Sequence, residues 1–484
     1  MMQSPSVSHR SVELATRLLL TYAAAVAFFA VPVLTLRGIG LVSSDMELLV
    51  GAVSAAVAIA LVYSLRDRIL RTFELFADRA RTSSARTWIL LCLGIGVALR
   101  LGWVWAFPGA PTSDGASYLY LAKRLLAGQE YEVAGTRAFW PPGYPFYLLP
   151  WLYLIHDVAL AILLSNLALF AVGSAGVWVL GLRLVGEGGA RLALAVYAFW
   201  PNYVFHAGLP EKEQIIIAML PCLLVLASAP SGAAGVPRML FAGLLLGFCT
   251  LVQPAFQLLP LVLLVYWLAD APPALQLGAR FLALLLGMTV VIAPWTLRNA
   301  RVVGEPVLVA TNGGSTLYRA NNPLATGGYT ERGEVDLSAL SELAADREGK
   351  RLAREWILSH PAAFARLGFE KNVRFMGDDA VGAYQTLKRG GTRSDTAIYL
   401  LSKAAANAFW LALWGLLLAA LCARWRRGLG IAPAGLCLPL TFAYLFLLHT
   451  VFESTGKYHV PLTGVVALMI PLYCLGVVSD RSRW

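Results

Sequence analysis

Long apolar runs, each about the length of a membrane-spanning helix, constrain this chain more than any other feature. A helix needs about 20 apolar residues to cross the hydrocarbon core of a bilayer, and such runs follow one another along most of the sequence. Only 14% of the residues are charged, whereas about 25% is usual in a soluble domain. Backbone polar groups in lipid must be satisfied inside helices. The sequence therefore predicts an all-α polytopic membrane protein.

The apolar runs predict about twelve membrane spans. They cover roughly 17–36, 46–65, 87–107, 157–181, 190–206, 213–230, 238–252, 254–270, 280–297, 397–422, 430–451 and 459–478. Basic residues then predict the orientation, because cytoplasmic loops carry an excess of lysine and arginine. With a cytoplasmic N-terminus, most basic residues of the short loops lie inside. They include those of the 66–86 linker and Arg17, Arg191, Arg424, Arg481 and Arg483. The first run lacks a clear small-residue cleavage site, which predicts an uncleaved span.

Two long polar regions interrupt the apolar pattern, 108–145 and about 298–396. With the orientation above, both lie on the outer side. Helical periodicity in the second region is broken by Pro361, which predicts two helices in a small, mostly helical α or α/β domain. The formal net charge of +11 does not indicate a nucleic-acid partner, because the basic residues sit in short clusters between apolar runs.

The first polar region contains one prominent acid, Asp114, at the start of a short amphipathic helix. Thr112 or Ser113 is suited to cap this helix, and Gly128 is suited to end it. Acidic residues are favoured in the first helical turn. From this loop alone, Asp114 has two explanations: it stabilises the start of the helix, or it takes part in catalysis.

A proline-rich turn follows, "FWPPGYPFYLLPW" at 139–151. Together with Arg100, the spacing Asp114-x-x-x-Tyr118 and the residues up to Tyr131, the "WPPGYP" segment resembles the bacterial members of glycosyltransferase family 39. These are GT-C enzymes related to the protein mannosyltransferases and to the aminoarabinose transferases of lipid A. The resemblance runs through most of the chain from about residue 87.

Other segments extend the resemblance. In "PNYVFHAGLPEKEQIIIAML", Glu213 best matches the acid that begins a span in the family, with Glu211 as the nearby alternative. "APWTLRNARVVGEPVLVATNGGSTLYRANNPLATGGY" resembles the family's outer domain, and "ESTGKYHVPLTGVVAL" resembles a late outer loop. Two positions depart from the pattern: Gln253 stands where many relatives have arginine, and glycine follows Asp114 where eukaryotic protein mannosyltransferases have glutamate. The second departure argues against a protein acceptor.

The resemblance implies transfer of a sugar, hexosyl or pentosyl, from a polyprenyl-phosphate donor to a hydroxyl acceptor, with inversion. An acceptor hydroxyl needs a base, whereas a lipid phosphate leaves without help from a general acid. Asp114 is the candidate base, and Glu213 is the second candidate catalytic residue. The candidate residues for binding the donor phosphate or substrate are Arg100, Tyr118, Lys123, Arg298, Asn312, Lys457, Tyr458 and His459. The alternative explanation for the cations is that they anchor the protein at the membrane interface. For His459 the alternative is a packing role.

The implied partners are the lipid-linked sugar donor, membrane lipids and an acceptor that is a cell-envelope glycan, a lipid or a protein. Asp114, Glu211 and Glu213 show no recognisable metal-ligand spacing, so no metal site is predicted and a divalent cation is left open. The resemblance implies a bacterial inner (plasma) membrane, with both termini cytoplasmic and the active site facing the periplasm.

Four domains are expected. They are an N-terminal transmembrane hairpin with a basic cytoplasmic linker (1–86), a GT-C-like catalytic module (87–297), a periplasmic domain (298–396) and C-terminal transmembrane helices (397–484). A secondary transporter or lipid flippase is the alternative function, although no pair of related halves is visible. A membrane scaffold with an outer binding domain is a third, and it leaves Asp114 and "WPPGYP" unexplained.

Overall fold

The computed structural model of the protein describes residues 7–228, 235–269, 273–330, 333, 335–390 and 396–476. In these residues the secondary structure is helical, and the β contact between Val133 and Thr136 is an isolated bridge. The helices are α1 (Val7–Gly38), α2 (Glu47–Arg81), α3 (Ala85–Ala106), α4 (Ser113–Leu126), α5 (Gly143–Leu154), α6 (Val158–Phe199), α7 (Pro201–Phe205), α8 (Glu213–Ala227), α9 (Gly235–Val252), α10 (Leu259–Ala269), α11 (Ala274–Val303), α12 (Gly313–Ala320), α13 (Glu342–Ser359), α14 (Pro361–Met376), α15 (Val381–Tyr384), α16 (Thr396–Arg427), α17 (Cys437–Val451) and α18 (Thr463–Leu475).

Nine helical segments among the described residues are long and apolar enough to cross a membrane. They are α1, α2, α3, α6, α9, α11, α16 and the segments Pro433–Val451 and Gly456–Leu475, which contain α17 and α18. Two shorter apolar helices are Glu213–Ala227 and Pro254–Ala269. The prediction of an all-α polytopic membrane protein is confirmed. The count of twelve spans stays a prediction, and the predicted spans ending at 230, 270 and 478 extend beyond the described residues.

Helix α6 contains two of the predicted spans, 157–181 and 190–206. Its 42 residues would be about 63 Å long if straight, twice the thickness of the hydrocarbon core. Gly186 has φ 70° and ψ −178°, a combination that favours glycine. A Cβ built on Gly181 would lie 2.8 Å from Ala190 Cα. The chain therefore turns back on itself within what is formally one helix.

The polar segments gather at one end of the bundle, which we call the loop end and define by 107–142, 206–212, 304–330, 335–390 and 452–459. Backbone hydrogen bonds tie these segments together. They join Ala110 N to Gly390 O, Thr311 N to Ala138 O and Ser454 N to Gly327 O, each at 2.9 Å. The loop end is the surface that the sequence predicts to face outward.

Three arginines sit away from the loop end, and each is held by main-chain carbonyl oxygens. Arg17 donates to Leu429 O, Arg191 to Ser83 O and Arg424 to Tyr473 O. Cations suit the carbonyl ends of helices. These residues were predicted to be cytoplasmic, and that orientation stays a prediction, while Arg481 and Arg483 lie outside the described residues.

In the described part of the polar region 298–396 the regular elements are helices joined by loops, and the expected outer domain stays a prediction. Pro361 begins α14 directly after α13 ends at Ser359, as predicted. This region packs on the bundle: α14 contacts α1 and α17, and Asn372 Nδ2 donates to Tyr22 Oη. The proposed boundaries of the four domains stay a prediction.

Candidate functional site

Three carboxylates surround one ammonium group at the loop end. Lys457 Nζ lies 3.2 Å from Asp114 Oδ2, 2.9 Å from Glu211 Oε2 and 3.7 Å from Glu213 Oε1. We call these four residues the Lys457 cluster. It combines side chains from α4, from the segment before α8, from the first turn of α8 and from the segment before α18. The structure thus brings together the predicted base, both candidate acids of the second loop and one predicted phosphate-binding cation.

Asp114 is held by the unusual start of α4. Thr112 is the N-cap residue, but its hydroxyl donates to Gln385 Oε1 at 3.1 Å instead of capping the helix. Ser113 has φ 52°, a left-handed conformation that is uncommon for residues other than glycine. Strained backbone is often found at functional sites. The end of α4 agrees with the sequence, because Gly128 has φ 67°.

Gly115 lets α4 touch the loop that carries Glu211. A Cβ at this position would lie 2.8 Å from Pro210 O and 3.1 Å from Pro210 Cγ. A side chain would therefore push the two loops apart. This contact gives a physical reason for the glycine after Asp114, which the sequence showed only as a departure from related enzymes.

The members of the Lys457 cluster differ in their access to solvent. The side chain of Asp114 is 41% exposed, whereas those of Glu211 and Glu213 are 5% and 2% exposed. Neither carboxylate oxygen of Glu213 has a hydrogen-bond partner among the described residues. Asp114 is therefore the carboxylate that an acceptor can reach, and the two glutamates lie beneath Lys457.

Charge and burial shift the pKa values of Asp114 and Glu211 in opposite directions. The nearby Lys457 ammonium lowers the pKa of Asp114, because an opposite charge favours the ionised form. Burial raises the pKa of Glu211 to about 7, although Lys457 opposes this. Asp114 is therefore ionised near neutral pH, whereas Glu211 gains or loses its proton in that range.

Tyr118 lines the cluster from below. Burial raises the pKa of its hydroxyl well above the usual value. Its ring packs edge-on against Trp140 and Tyr144 of the "WPPGYP" turn, and Lys212 Nζ lies 5.8 Å from the ring centre. The turn thus supports Tyr118, and Lys212 supplies a second ammonium group beside the Lys457 cluster.

A second polar group adjoins the cluster through Tyr458. Its hydroxyl donates to Glu453 Oε1 at 2.8 Å, and Arg319 Nε lies 3.8 Å from Glu453 Oε2. His449 stacks on Tyr458 with ring centres 4.2 Å apart, and its Nδ1 is 2.9 Å from Glu453 O. We call these four residues the Glu453 group. The charge of Arg319 extends to Asp114, where it helps to lower the pKa.

Arg100 lies inside the bundle and away from the cluster. One terminal nitrogen donates to Gly96 O and Ala198 O, each at 2.9 Å. The guanidinium also lies over the rings of Phe170 and Tyr203. This environment is that of a buried cation bound by carbonyls and aromatic faces, and no contact joins it to the Lys457 cluster in the described residues.

Arg298 and His459 make structural contacts at the loop end. Arg298 donates to the carbonyls of Arg137 and Tyr131 and so fixes the first polar loop. His459 is buried, with Nε2 3.0 Å from Asp379 Oδ1 and its ring stacked on Trp410. These surroundings match the packing alternative given for His459 from the sequence.

Two predicted binding residues lack contacts that would link them to the cluster. Lys123 is exposed on α4. Asn312 precedes α12 and makes no side-chain capping bond. Their predicted roles in binding rest on the sequence alone.

Sequence reasoning did not select Glu453, Arg319 or Lys371. Glu453 and Arg319 lie within the segments "ESTGKYHV" and "YRANNP" that carry the resemblance. An acid at the start of the late loop was the available signal for Glu453. Lys371 is fully buried and donates to Asn321 Oδ1 and Val451 O, and nothing in the pattern of α14 marks it.

No three His, Cys, Asp or Glu side chains in the described part of the chain are arranged to hold a metal ion. Within the Lys457 cluster, the ammonium group lies among the three carboxylates.

No protein-family model and no curated protein matches the chain. Among solved structures, the chain is similar to ArnT from Cupriavidus metallidurans bound to undecaprenyl phosphate. The identity is 13% and the TM-score 0.43, over 81% of this chain and 78% of that chain. It is also similar to the archaeal oligosaccharyltransferase AglB from Archaeoglobus fulgidus, in complex with an inhibitory peptide and a dolichol-phosphate. There the identity is 10% and the TM-score 0.46, over 80% of this chain and 50% of that chain.

Both are GT-C proteins. The predicted resemblance to GT-C enzymes is confirmed as a similarity between structures.

Proposed function

We propose that the chain is a membrane glycosyltransferase that moves a sugar from a polyprenyl-phosphate donor to a hydroxyl acceptor. The observation that carries the proposal is the Lys457 cluster, in which an accessible, ionised Asp114 lies beside a cation at the polar end of a membrane bundle. A carboxylate and a cation within 3.2 Å supply the two elements that transfer from a phosphate needs, a base and a charge for the leaving group.

Asp114 acts as the general base in this proposal. It accepts the proton of the acceptor hydroxyl while that oxygen bonds to the anomeric carbon of the sugar. The bond from the anomeric carbon to the phosphate oxygen breaks, and its electron pair leaves with the lipid phosphate. A single displacement inverts the anomeric configuration.

Lys457 receives the negative charge of the phosphate. Fixed cations at the point where charge develops stabilise a transition state. The buried Glu211 and Glu213 hold the ammonium in place, so we assign Glu213 a positioning role beneath Lys457. Lys212 and Tyr118 lie beside the same cluster. The reaction takes place at the loop end, which we propose faces outward in a bacterial inner membrane.

The test is sugar transfer by the purified chain in lipid nanodiscs, with a panel of undecaprenyl-phosphate sugars and glycan, lipid and peptide acceptors. Wild type is expected to release undecaprenyl phosphate and to give a product of inverted anomeric configuration by NMR. Asp114→Asn is expected to lose at least about 100-fold in kcat, as removal of a general base does. Glu355→Gln, which changes an exposed acid on α13, is the control.

Absence of transfer with every donor by a folded wild type would exclude the activity. Transfer by Asp114→Asn at the wild-type rate would exclude the base. A retained anomeric configuration would exclude the single displacement.

A further inference from the structure

The Glu453 group contains polar atoms whose hydrogen bonds are unmet. Glu453 Oε2 and Arg319 Nε have no hydrogen-bond partner among the described residues, although the two atoms are 3.8 Å apart. Glu453 is only 6% exposed. Buried polar groups are nearly always hydrogen-bonded, so unmet ones need an explanation. A carboxylate oxygen and a guanidinium nitrogen at this separation can each bond to one of two adjacent hydroxyl groups of a ligand.

The surroundings hold this pair in place. Tyr458 donates to the other oxygen of Glu453, and His449 stacks on Tyr458 while it contacts the main chain of Glu453. Two anchors on Glu453 leave Oε2 free to face Arg319. The carboxylate is therefore preorganised, which reduces the entropic cost of binding.

The two unmet atoms are themselves enclosed, and the partly exposed Arg319 side chain connects them to the surface of the loop end, so a ligand reaches them by displacing that side chain. The side chain of Arg319 is 27% exposed, and its guanidinium lies 4.9 Å from the ring centre of Tyr329, which is 55% exposed. An aromatic face beside a few fixed polar groups is a common arrangement in small-ligand sites. The C–H face of a sugar ring can pack on Tyr329 while its hydroxyls bond to Glu453 and Arg319.

The charges around Glu453 select against a cationic sugar. Arg319 faces the carboxylate directly, with its Nε 3.8 Å from Glu453 Oε2. A second cation next to Arg319 would meet like-charge repulsion in a buried site. A hydroxyl group donates to Glu453 without adding charge.

We propose that Glu453 and Arg319 form a subsite for adjacent hydroxyl groups of a neutral sugar ring, and that an ammonium-bearing sugar is disfavoured there. The proposal deepens the proposed function, because it names the class of sugar held beside the Lys457 cluster. Both the sugar of the donor and the acceptor glycan offer this chemistry.

The test uses free glycosides, so that it does not depend on lipid phosphate. Saturation-transfer NMR is recorded for the full chain in nanodiscs with methyl glucoside, methyl galactoside and methyl mannoside, and with the methyl glycoside of 4-amino-4-deoxyarabinose. Wild type is expected to saturate the ring protons of at least one neutral glycoside, with a weaker effect on the amino glycoside. Glu453→Gln and Arg319→Gln are expected to lose most of the effect. Arg366→Gln, an 84% exposed arginine on α14, is the matched control.

Equal signals in all four proteins, a stronger signal with the amino glycoside, or no signal beyond that of empty nanodiscs would overturn the subsite. Unfolding midpoints identify any variant that fails to fold. If Glu453→Gln fails to fold, Arg319→Gln, at a half-buried position, still tests the subsite. Because no donor is present, these results are independent of whether the proposed transfer takes place.

A second measurement separates the two sources of the sugar. Undecaprenyl phosphate and undecaprenyl-phosphate glucose are titrated into wild type and Glu453→Gln. If the subsite holds the donor sugar, the variant weakens binding of the glycosylated lipid by about tenfold, the effect of losing about 1.4 kcal/mol, and leaves the bare lipid unchanged. If the subsite holds the acceptor, each lipid binds wild type and Glu453→Gln with the same affinity. The saturation-transfer signal of the free glycoside then persists while glycosylated lipid is bound.

Discussion

Lys457 Nζ lies 3.2 Å from Asp114 Oδ2, although the two residues are 343 positions apart in the chain. The contact joins the first polar loop to the segment that precedes α18. Glu211, at 2.9 Å from the same ammonium, adds the second loop to the junction. One cation therefore fixes the relative positions of three loop-end segments.

Removal of this cation should destabilise the protein. Lys457→Met leaves the buried Glu211 and Glu213 without their partner, and loss of one member of a buried ion pair typically costs about 3–5 kcal/mol. We expect a lower thermal unfolding midpoint for Lys457→Met. The triple variant with Glu211→Gln and Glu213→Gln should recover most of the loss, because the only carboxylate of the cluster that then lacks a partner is the solvent-accessible Asp114. An unchanged midpoint for Lys457→Met would show that the cluster contributes nothing to stability.

The raised pKa of Glu211 predicts a pH dependence of stability. The folded state binds this proton more tightly than the unfolded state, whose carboxyl has a pKa near 4.5. The stabilisation is complete below that value and is lost as the pH rises through about 7. Asp114, whose pKa is lowered from 3.8, acts only at more acidic pH.

The wild-type unfolding midpoint should therefore fall between pH 5 and pH 8, the part of this window that a melting series covers. Glu211→Gln should reduce the slope and raise the midpoint at pH 8 relative to wild type. Glu355→Gln, which removes an exposed carboxyl, should keep the wild-type slope. Parallel curves for wild type and Glu211→Gln would contradict the assignment.

The contact between Gly115 and Pro210 predicts a cost for the smallest possible side chain. Gly115→Ala places a Cβ 2.8 Å from a main-chain oxygen, and overpacking of this kind costs about 1–3 kcal/mol. We expect a lower midpoint and a lower kcat, since α4 must move away from the Glu211 loop. The control is Gly102→Ala in α3, where a Cβ meets nothing within 4 Å and the helix should gain slightly. Similar effects of the two substitutions would argue against the contact.

The sequence predicted the parts of the fold that depend on local pattern. Apolar runs located the long helices, Pro361 separated α13 from α14, and Gly128 ended α4. The separate spans predicted at 157–181 and 190–206 placed a break where α6 turns at Gly186. The sequence did not single out Gly186 as the turning residue, because glycine also occurs in regular helices of membrane proteins. Its role depends on the packing of Gly181 against Ala190, which is a tertiary contact.

The position of Arg100 predicts that its loss leaves donor binding intact. Its hydrogen bonds go to Gly96 O and Ala198 O, within the bundle. Arg100→Met should change KM for the donor by less than about twofold, the kinetic sign of a residue that makes no contact with substrate. The measurement is steady-state transfer by the folded fraction. A tenfold rise in KM with unchanged stability would return Arg100 to the donor-binding residues.

The predicted orientation can be tested by labelling. In a background without the six native cysteines, a cysteine at Arg366 on α14 should react with an impermeant maleimide in spheroplasts, because this position is at the exposed loop end. A cysteine at Arg71 on α2 should react only after lysis, since basic residues favour the cytoplasmic side. The reverse pattern would invert the topology.

The candidate site was predictable in part. Asp114, Tyr118 and Lys457 came from the resemblance, and the structure brings them together. Glu211 and Glu213 were not separable by spacing, because both lie within reach of one ammonium. Glu453 and Arg319 belong to segments 134 positions apart, and only folding reveals that 3.8 Å separates their charged atoms. Arg100 was selected as a candidate from the sequence, but its hydrogen bonds lie inside the bundle and not at the cluster.

The order of the cluster residues along the chain has a consequence for biosynthesis. Asp114, Glu211 and Glu213 are translated long before Lys457, the cation they surround. Until the last candidate span, Gly456–Leu475, has been inserted, the partly made protein carries these acids without a counter-ion, and burying them is costly. The loop end therefore closes late, and an incomplete chain lacks the contact that joins its first, second and last polar loops.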